Sequence, residues 1–127
     1  MSVQLDSVAN TRRVEMAVAG PGNANRLFVL AGMAAFQVRG HSSDWRKDSV
    51  SFSVGNTTLV PQQVVNMVAT ASLAGIPHGG AGWAVDNVTA HLDAHSHQIM
   101  LQAQMAVRDT DGFMLQMAYH VTVLARV

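Results

Sequence analysis

A long alternation of apolar and polar residues at the end of the chain constrains the fold most. Alternate positions are apolar over residues 98–108, and the same two-residue period returns over 113–123. This period is that of a β-strand with one face in a core. Asp111 and Gly112 lie between the two runs, and Gly112 supplies the positive φ that a short hairpin loop needs. The sequence therefore predicts a closing antiparallel hairpin.

Other strands are predicted along the rest of the chain. Residues 12–18 and 49–54 alternate in the same way, and residues 82–93 form a further strand pattern. Gly55 and Asn56 fit a two-residue hairpin loop leading into a strand over 57–60. Seven or eight strands at short, even spacing predict an all-β antiparallel β-sandwich, jelly-roll or Ig-like, that occupies 1–127 as a single domain.

Residues 26–40 form a long strand pattern that is apolar on both faces. Leu27 and Val29 lie on one face, while Phe28 and Leu30 lie on the other. A strand that is apolar on both sides is covered on both sides, and a two-layer sandwich covers only one of them. We therefore expect a second copy of the chain to cover the other face. Gly32, in the middle of this strand, predicts a bulge or a close approach of another group.

Residues 61–75 fit two interpretations. Pro61 suits the first position of a helix and Gly75 its C-terminal cap. The stretch is also rich in β-branched residues and fits a period of two, with Val65, Met67 and Ala69 on one row. We favour a strand. The alternative is an α+β fold with one helix at 61–75.

The composition bounds the partners of the chain. Lys and Arg together number 8, as do Asp and Glu, so the net charge is zero and a nucleic-acid partner is not expected. Hydrophobic residues make up 49% of the chain and charged residues only 13%. So few charges leave an isolated copy poorly protected from association, which favours a homo-oligomer.

Cysteine and targeting signals are absent from the sequence. Without cysteine there is no disulfide and no thiolate metal site. The first ten residues have neither a basic start nor an apolar core, and the longest apolar run, 27–36, is too short to span a membrane. We expect a soluble, cytoplasmic protein.

Four metal-ligating residues lie close together in the sequence: His91, Asp93, His95 and His97. Imidazoles and a carboxylate at such spacing could converge on one metal ion. The alternative is the solvated end of a hairpin, where small polar residues collect. We favour the second interpretation and predict no metal and no other cofactor.

A tryptophan among polar residues gives the candidate ligand site. The indole of Trp45 would stack on a pyranose ring, while Asp44 and Arg46 would bind its hydroxyls. His78 and Trp83, around the glycine-rich loop, complete the predicted glycan site if both loops lie at one end of the sandwich. The alternative is that each tryptophan caps the open end of the core.

The run His78-Gly79-Gly80 resembles the start of the central helix in hotdog-fold acyl-CoA thioesterases of the phenylacetate type. That resemblance implies a helix from about Gly79 whose backbone N–H polarises a thioester carbonyl, with Asp86 as a nearby carboxylate. No G-x-S-x-G or phosphate-loop motif is present.

The favoured function is a non-enzymatic binding or assembly module, most simply an oligomeric lectin-like carbohydrate-binding domain. One alternative is a self-assembling structural subunit of a larger particle. The other is an enzyme, either a hotdog-like thioesterase or a metal-dependent one.

Overall fold

The computed structural model describes residues 2–40, 43–76 and 79–127, which fold into seven strands. Two short 3-10 turns, Pro21–Asn23 and Pro61–Gln63, precede β2 and β4, and the described residues contain no α-helix. The all-β prediction is confirmed. The strands are β1 Ser2–Ala17, β2 Arg26–Arg39, β3 Arg46–Asn56, β4 Val64–Ala74, β5 Gly82–Leu92, β6 Gln98–Arg108 and β7 Met114–Ala125.

The strands form two antiparallel sheets that pack face to face as a sandwich. One sheet has four strands in the order β1-β2-β7-β4, and the other has three in the order β3-β6-β5. The core between them includes Phe36 and Tyr119 from the first sheet and Phe52 and Leu101 from the second. Phe52 packs edge-on against both Phe36 and Tyr119, with ring centroids 5.8 and 5.6 Å apart.

The predicted closing hairpin is wrong, because β6 and β7 belong to different sheets. β6 pairs with β3 and β5, whereas β7 pairs with β2 and β4. The connection between them crosses from one sheet to the other and is tied to the end of β2. The backbone N–H of Gly112 donates to the carbonyl of Val38 at 2.9 Å, and that of Gly40 donates to Oδ1 of Asp111 at 2.8 Å.

The stretch at 61–75 is a strand, as favoured, and not the helix of the alternative. Pro61 begins a 3-10 turn, in which Gln63 accepts a hydrogen bond from the backbone N–H of Val60 at 2.9 Å, and β4 follows. The predicted hairpin at Gly55 is wrong, because β3 continues to Asn56 with a register shift between Ser53 and Gly55. Residues 57–60 are therefore a connection and not a strand.

Gly32 allows the close approach that the sequence predicts. A Cβ atom at this position would lie 2.5 Å from Oη of Tyr119 and 3.1 Å from Cα of Thr11. The hydroxyl of the fully buried Tyr119 reaches past Gly32 and hydrogen-bonds the hydroxyl of Thr11 at 2.7 Å. Because Gly32 has no side chain, Tyr119 of the central strand β7 can hydrogen-bond Thr11 of the edge strand β1.

Candidate functional site

The indole of Trp45 lies on the outer face of the three-stranded sheet, at the end where β3 begins. Trp45 is 48% exposed. The Arg108 guanidinium carbon lies 4.9 Å from the ring centroid, and a Cβ built on Gly82 would lie 2.7 Å from Cη2. The Nε of Arg108 also donates to the Gly80 carbonyl at 3.1 Å. The ring of Trp45 is therefore held against the sheet by a cation–π contact with Arg108 and by close packing on Gly82.

Two of the other predicted glycan-site residues, Trp83 and Arg46, do not lie on the face that carries Trp45. Trp83 pairs with the buried Val107 and packs half-buried against the core, so it lies on the opposite face of the sheet. Arg46 also pairs with Val107 and alternates away from Trp45, although it is exposed. Asp44 is exposed beside Trp45. His78 lies outside the described residues. The tryptophans share one end of the sandwich but not one surface.

Asp93, His95 and His97 of the predicted cluster lie in the tight turn between β5 and β6, whereas His91 lies within β5. The carboxylate of Asp93 accepts hydrogen bonds from the backbone N–H of His95 at 3.0 Å and from the hydroxyl of Ser96 at 2.8 Å. His97 adopts a left-handed φ of 55° and donates its backbone N–H to the Asp93 carbonyl. Within the described ranges, no three side chains of the kinds that bind metal converge. Turn formation accounts for Asp93.

Asp93 gives this turn a dependence on pH. The backbone N–H of His95 and then the hydroxyl of Ser96 hold the pKa of its carboxyl below the ordinary value of 3.8. The stability that the ionised Asp93 carboxylate gives the fold is fully present above pH 3.8. It is lost as the pH falls through the lower pKa of the folded state. We expect Asp93→Asn to destabilise the protein at neutral pH but not in strong acid. Urea denaturation of both proteins at neutral pH and in strong acid tests this. A difference in the free energy of unfolding that is the same at both pH values would contradict it.

A shallow polar groove of about 300 Å³ lies on the outer face of the three-stranded sheet. Its polar side chains form two adjacent rows across all three strands, because Ser49 and Ser51 of β3 pair with Gln104 and Gln102 of β6. Thr89 of β5 pairs with Gln102 on the other side. We call it the polar groove; its polar side chains are Ser49, Ser51, Asn87, Thr89, Gln102 and Gln104.

The outer face of the four-stranded sheet is apolar along β2 and the neighbouring part of β1, and mixed along β7 and β4. We call it the apolar face; its residues include Val14 and Met16 of β1, Leu27, Val29, Ala31, Met33 and Ala35 of β2, Val68 of β4, and Met114, Ala118 and Leu124 of β7. Val14 is 55% exposed and Val68 56%. Polar residues share this face: Arg12 on the edge strand β1, Gln116, His120 and Thr122 on β7, and Asn66, Thr70 and Ser72 on β4. The apolar character of the face is therefore strongest on β1 and β2.

Comparison of the chain with protein-family models, with curated proteins and with solved structures finds no match. In the part of the chain that the structure describes, no helix is long and apolar enough to cross a membrane.

The structure also bears on the resemblance to hotdog thioesterases. That resemblance requires a helix that begins near Gly79. The chain instead makes a turn at Gly79 and Gly80 and then enters β5. The backbone of this segment therefore lacks the helix N-terminus on which the implied chemistry depends, and the thioesterase alternative has no structural support.

Sequence reasoning did not single out the polar groove. Serine and glutamine at alternate positions of a strand are typical of any solvent-facing row. A bulge in β5 between Asp86 and Thr89 adds Asn87 to the groove, and this residue has a left-handed φ of 49°. The one sequence feature that could have indicated the groove is that none of these polar positions carries a charged residue.

Proposed function

We propose that the protein is a non-enzymatic assembly module that associates with further copies of itself through the apolar face. The observation that carries this proposal is the exposure of large apolar side chains on that face, where Met33 is 37% exposed and Met114 46%. Exposed apolar side chains grouped on one face are typical of interaction surfaces.

The dimensions of the apolar face suit a second copy. Four strands about 4.8 Å apart, each about 12 residues long at about 3.4 Å per residue, give the whole outer face an area of about 780 Å². Two such faces would together bury about 1,600 Å², which is the usual extent of a specific interface. The net charge of zero means that two copies do not repel each other strongly. A two-fold axis would place each apolar face against its equivalent.

Methionine oxidation tests this proposal at the level of the face. Met16, Met33 and Met114 lie on the apolar face, while Met100 lies on the outer face of the other sheet. We expect dilute peroxide to oxidise the first three more slowly in concentrated than in dilute protein, because association removes them from solvent. The rate at Met100 should not change. Rates that are independent of concentration at all four residues would contradict the proposal.

Carbohydrate binding on the outer face of the three-stranded sheet is the second candidate function. The half-exposed indole of Trp45 supports it, because a pyranose can stack on an aromatic ring while polar groups nearby bind its hydroxyls. Arg108 and Gly82 hold the ring in one position, which lowers the entropic cost of binding. This face lies opposite the apolar face, so both functions are compatible in one assembly.

A further inference from the structure

The geometry of the polar groove points to a binding site for a neutral glycan chain, with Gln102 and Gln104 at its centre. This inference rests on the second candidate function, carbohydrate binding, and assigns it a site centred on the groove, with Trp45 as an outlying contact for longer ligands. The argument depends on the chemistry of the groove, on its preorganisation and on its position relative to Trp45.

The side chains of the polar groove match the chemistry of sugar hydroxyls. Serine and threonine hydroxyls both donate and accept hydrogen bonds, and the amides of Gln102 and Gln104 do the same through separate atoms. A sugar hydroxyl is also both a donor and an acceptor. All six polar lining side chains are uncharged. Two charged residues lie at the margin of the groove on the same face, Asp86, which pairs with Gln104, and Lys47, two residues before Ser49 on β3. Anionic ligands are usually bound by arginine or lysine, which do not line the groove, and the carboxylate of Asp86 would repel an anion, so the groove favours a neutral ligand.

The groove is partly organised before any ligand binds. The side-chain amide of Asn87 donates to Oε1 of Gln104 at 3.0 Å, which fixes the orientation of both groups. The bulge in β5 holds Asn87 in this position, and asparagine tolerates the left-handed backbone better than most residues. The Nε2 donors of Gln104 and the Oδ1 acceptor of Asn87 take no part in this hydrogen bond.

The position of the groove favours an extended ligand over a single sugar. Gln104 and Arg108 lie on the same outward row of β6, and Arg108 packs over Trp45. Four residues of a strand span about 13 Å, so the indole lies about that far from the groove along one face. A linear glycan lying along β6 would contact the amides of the groove and the ring of Trp45 together.

Titration of the protein with neutral oligosaccharides of increasing length, and with sulfated ones as the anionic comparison, tests this inference. We expect Gln102→Ala and Gln104→Ala each to weaken binding of the neutral oligosaccharides about tenfold, since each removes about one hydrogen bond. Gln4→Ala is the matched control, because it removes an exposed strand glutamine from β1. Trp45→Ala should weaken binding only of the longer oligosaccharides.

The outcomes separate the site from the function. Absence of neutral oligosaccharide binding by the unsubstituted protein would overturn both the site and carbohydrate binding. Binding that Trp45→Ala abolishes and that both glutamine variants retain would overturn the groove assignment while supporting the function. Binding of the sulfated oligosaccharides alone would also overturn it. Self-association through the apolar face does not depend on any of these results.

Discussion

Replacing Gly32 by alanine is expected to lower the free energy of unfolding by about 3 kcal/mol, the upper range for adding a methyl group to a well-packed region. The new Cβ would lie 2.5 Å from Oη of Tyr119, whose ring is fully buried and confined by Phe52. It would also press on the backbone of Thr11, at 3.1 Å. Movement of Tyr119 would break its hydrogen bond to Thr11. Urea denaturation measures the loss.

Two further variants make the result for Gly32 specific. Gly20→Ala is the control, because a Cβ there would make only an ordinary contact of 3.4 Å with Ala24. We expect it to change the free energy of unfolding by less than about 0.5 kcal/mol. Adding Tyr119→Phe to Gly32→Ala should recover part of the stability, because it removes the hydroxyl that the Cβ meets. If Gly32→Ala were as stable as Gly20→Ala, the close approach of Tyr119 would be disproved.

Placing a lysine at Ala118 is expected to raise the dissociation constant of the assembly at least about 100-fold, or about 2.7 kcal/mol. Ala118 is exposed on β7, between Met33 of β2 and Ser72 of β4. It therefore lies inside the apolar face. In one copy the lysine is solvated and the fold is unaffected, but in the assembly it would be buried without a partner. Sedimentation equilibrium measures the dissociation constant.

Ala84→Lys is the matched control for this substitution. Ala84 is also an exposed strand alanine, but it lies on β5, on the outer face of the three-stranded sheet. The Ala84→Lys substitution adds the same charge and the same side chain, but on a surface away from the apolar face. We expect it to leave the dissociation constant within about twofold. Equal effects of the two lysines would show that net charge, and not the apolar face, controls association.

The sequence predicted which residues face the core more reliably than which strands pair. The period of two in β6 and β7 identifies the buried rows, including Leu101, Met105, Leu115 and Met117, all of which are fully buried. The same period is compatible with a hairpin and with two strands in opposite sheets. The choice depends on contacts of the connecting turn with the end of β2, and these contacts join residues far apart in sequence.

The parity of the strands explains the outcome for the candidate site. The sequence pattern groups Trp45 and Trp83 because both lie in or beside polar loops, but the cross-strand register decides which face of the sheet each side chain occupies. Gly82 pairs with the outward Arg108, and one residue later Trp83 pairs with the inward Val107. The polar groove likewise depends on the register of three strands and on a bulge at Asn87. Neither can be read from one strand alone.

The two apolar faces of β2 connect the sequence to the proposed function. The sequence predicted that Leu27 and Val29 lie on a second apolar face, and the structure places them on the outer face of the four-stranded sheet. Phe28 and Leu30, on the other side of the strand, are buried in the core. Within one copy nothing in the described residues covers the outer row, which is why a second copy is proposed as its cover.

The most direct test of the account is the molar mass of the unsubstituted protein in solution, measured by light scattering over a range of micromolar concentrations. One chain has a mass of 13.5 kDa. If the apolar face joins copies of the chain, the measured mass reaches a whole multiple of that value at high concentration. It then falls towards the mass of one chain on dilution. A mass of 13.5 kDa at every concentration would contradict self-association through this face.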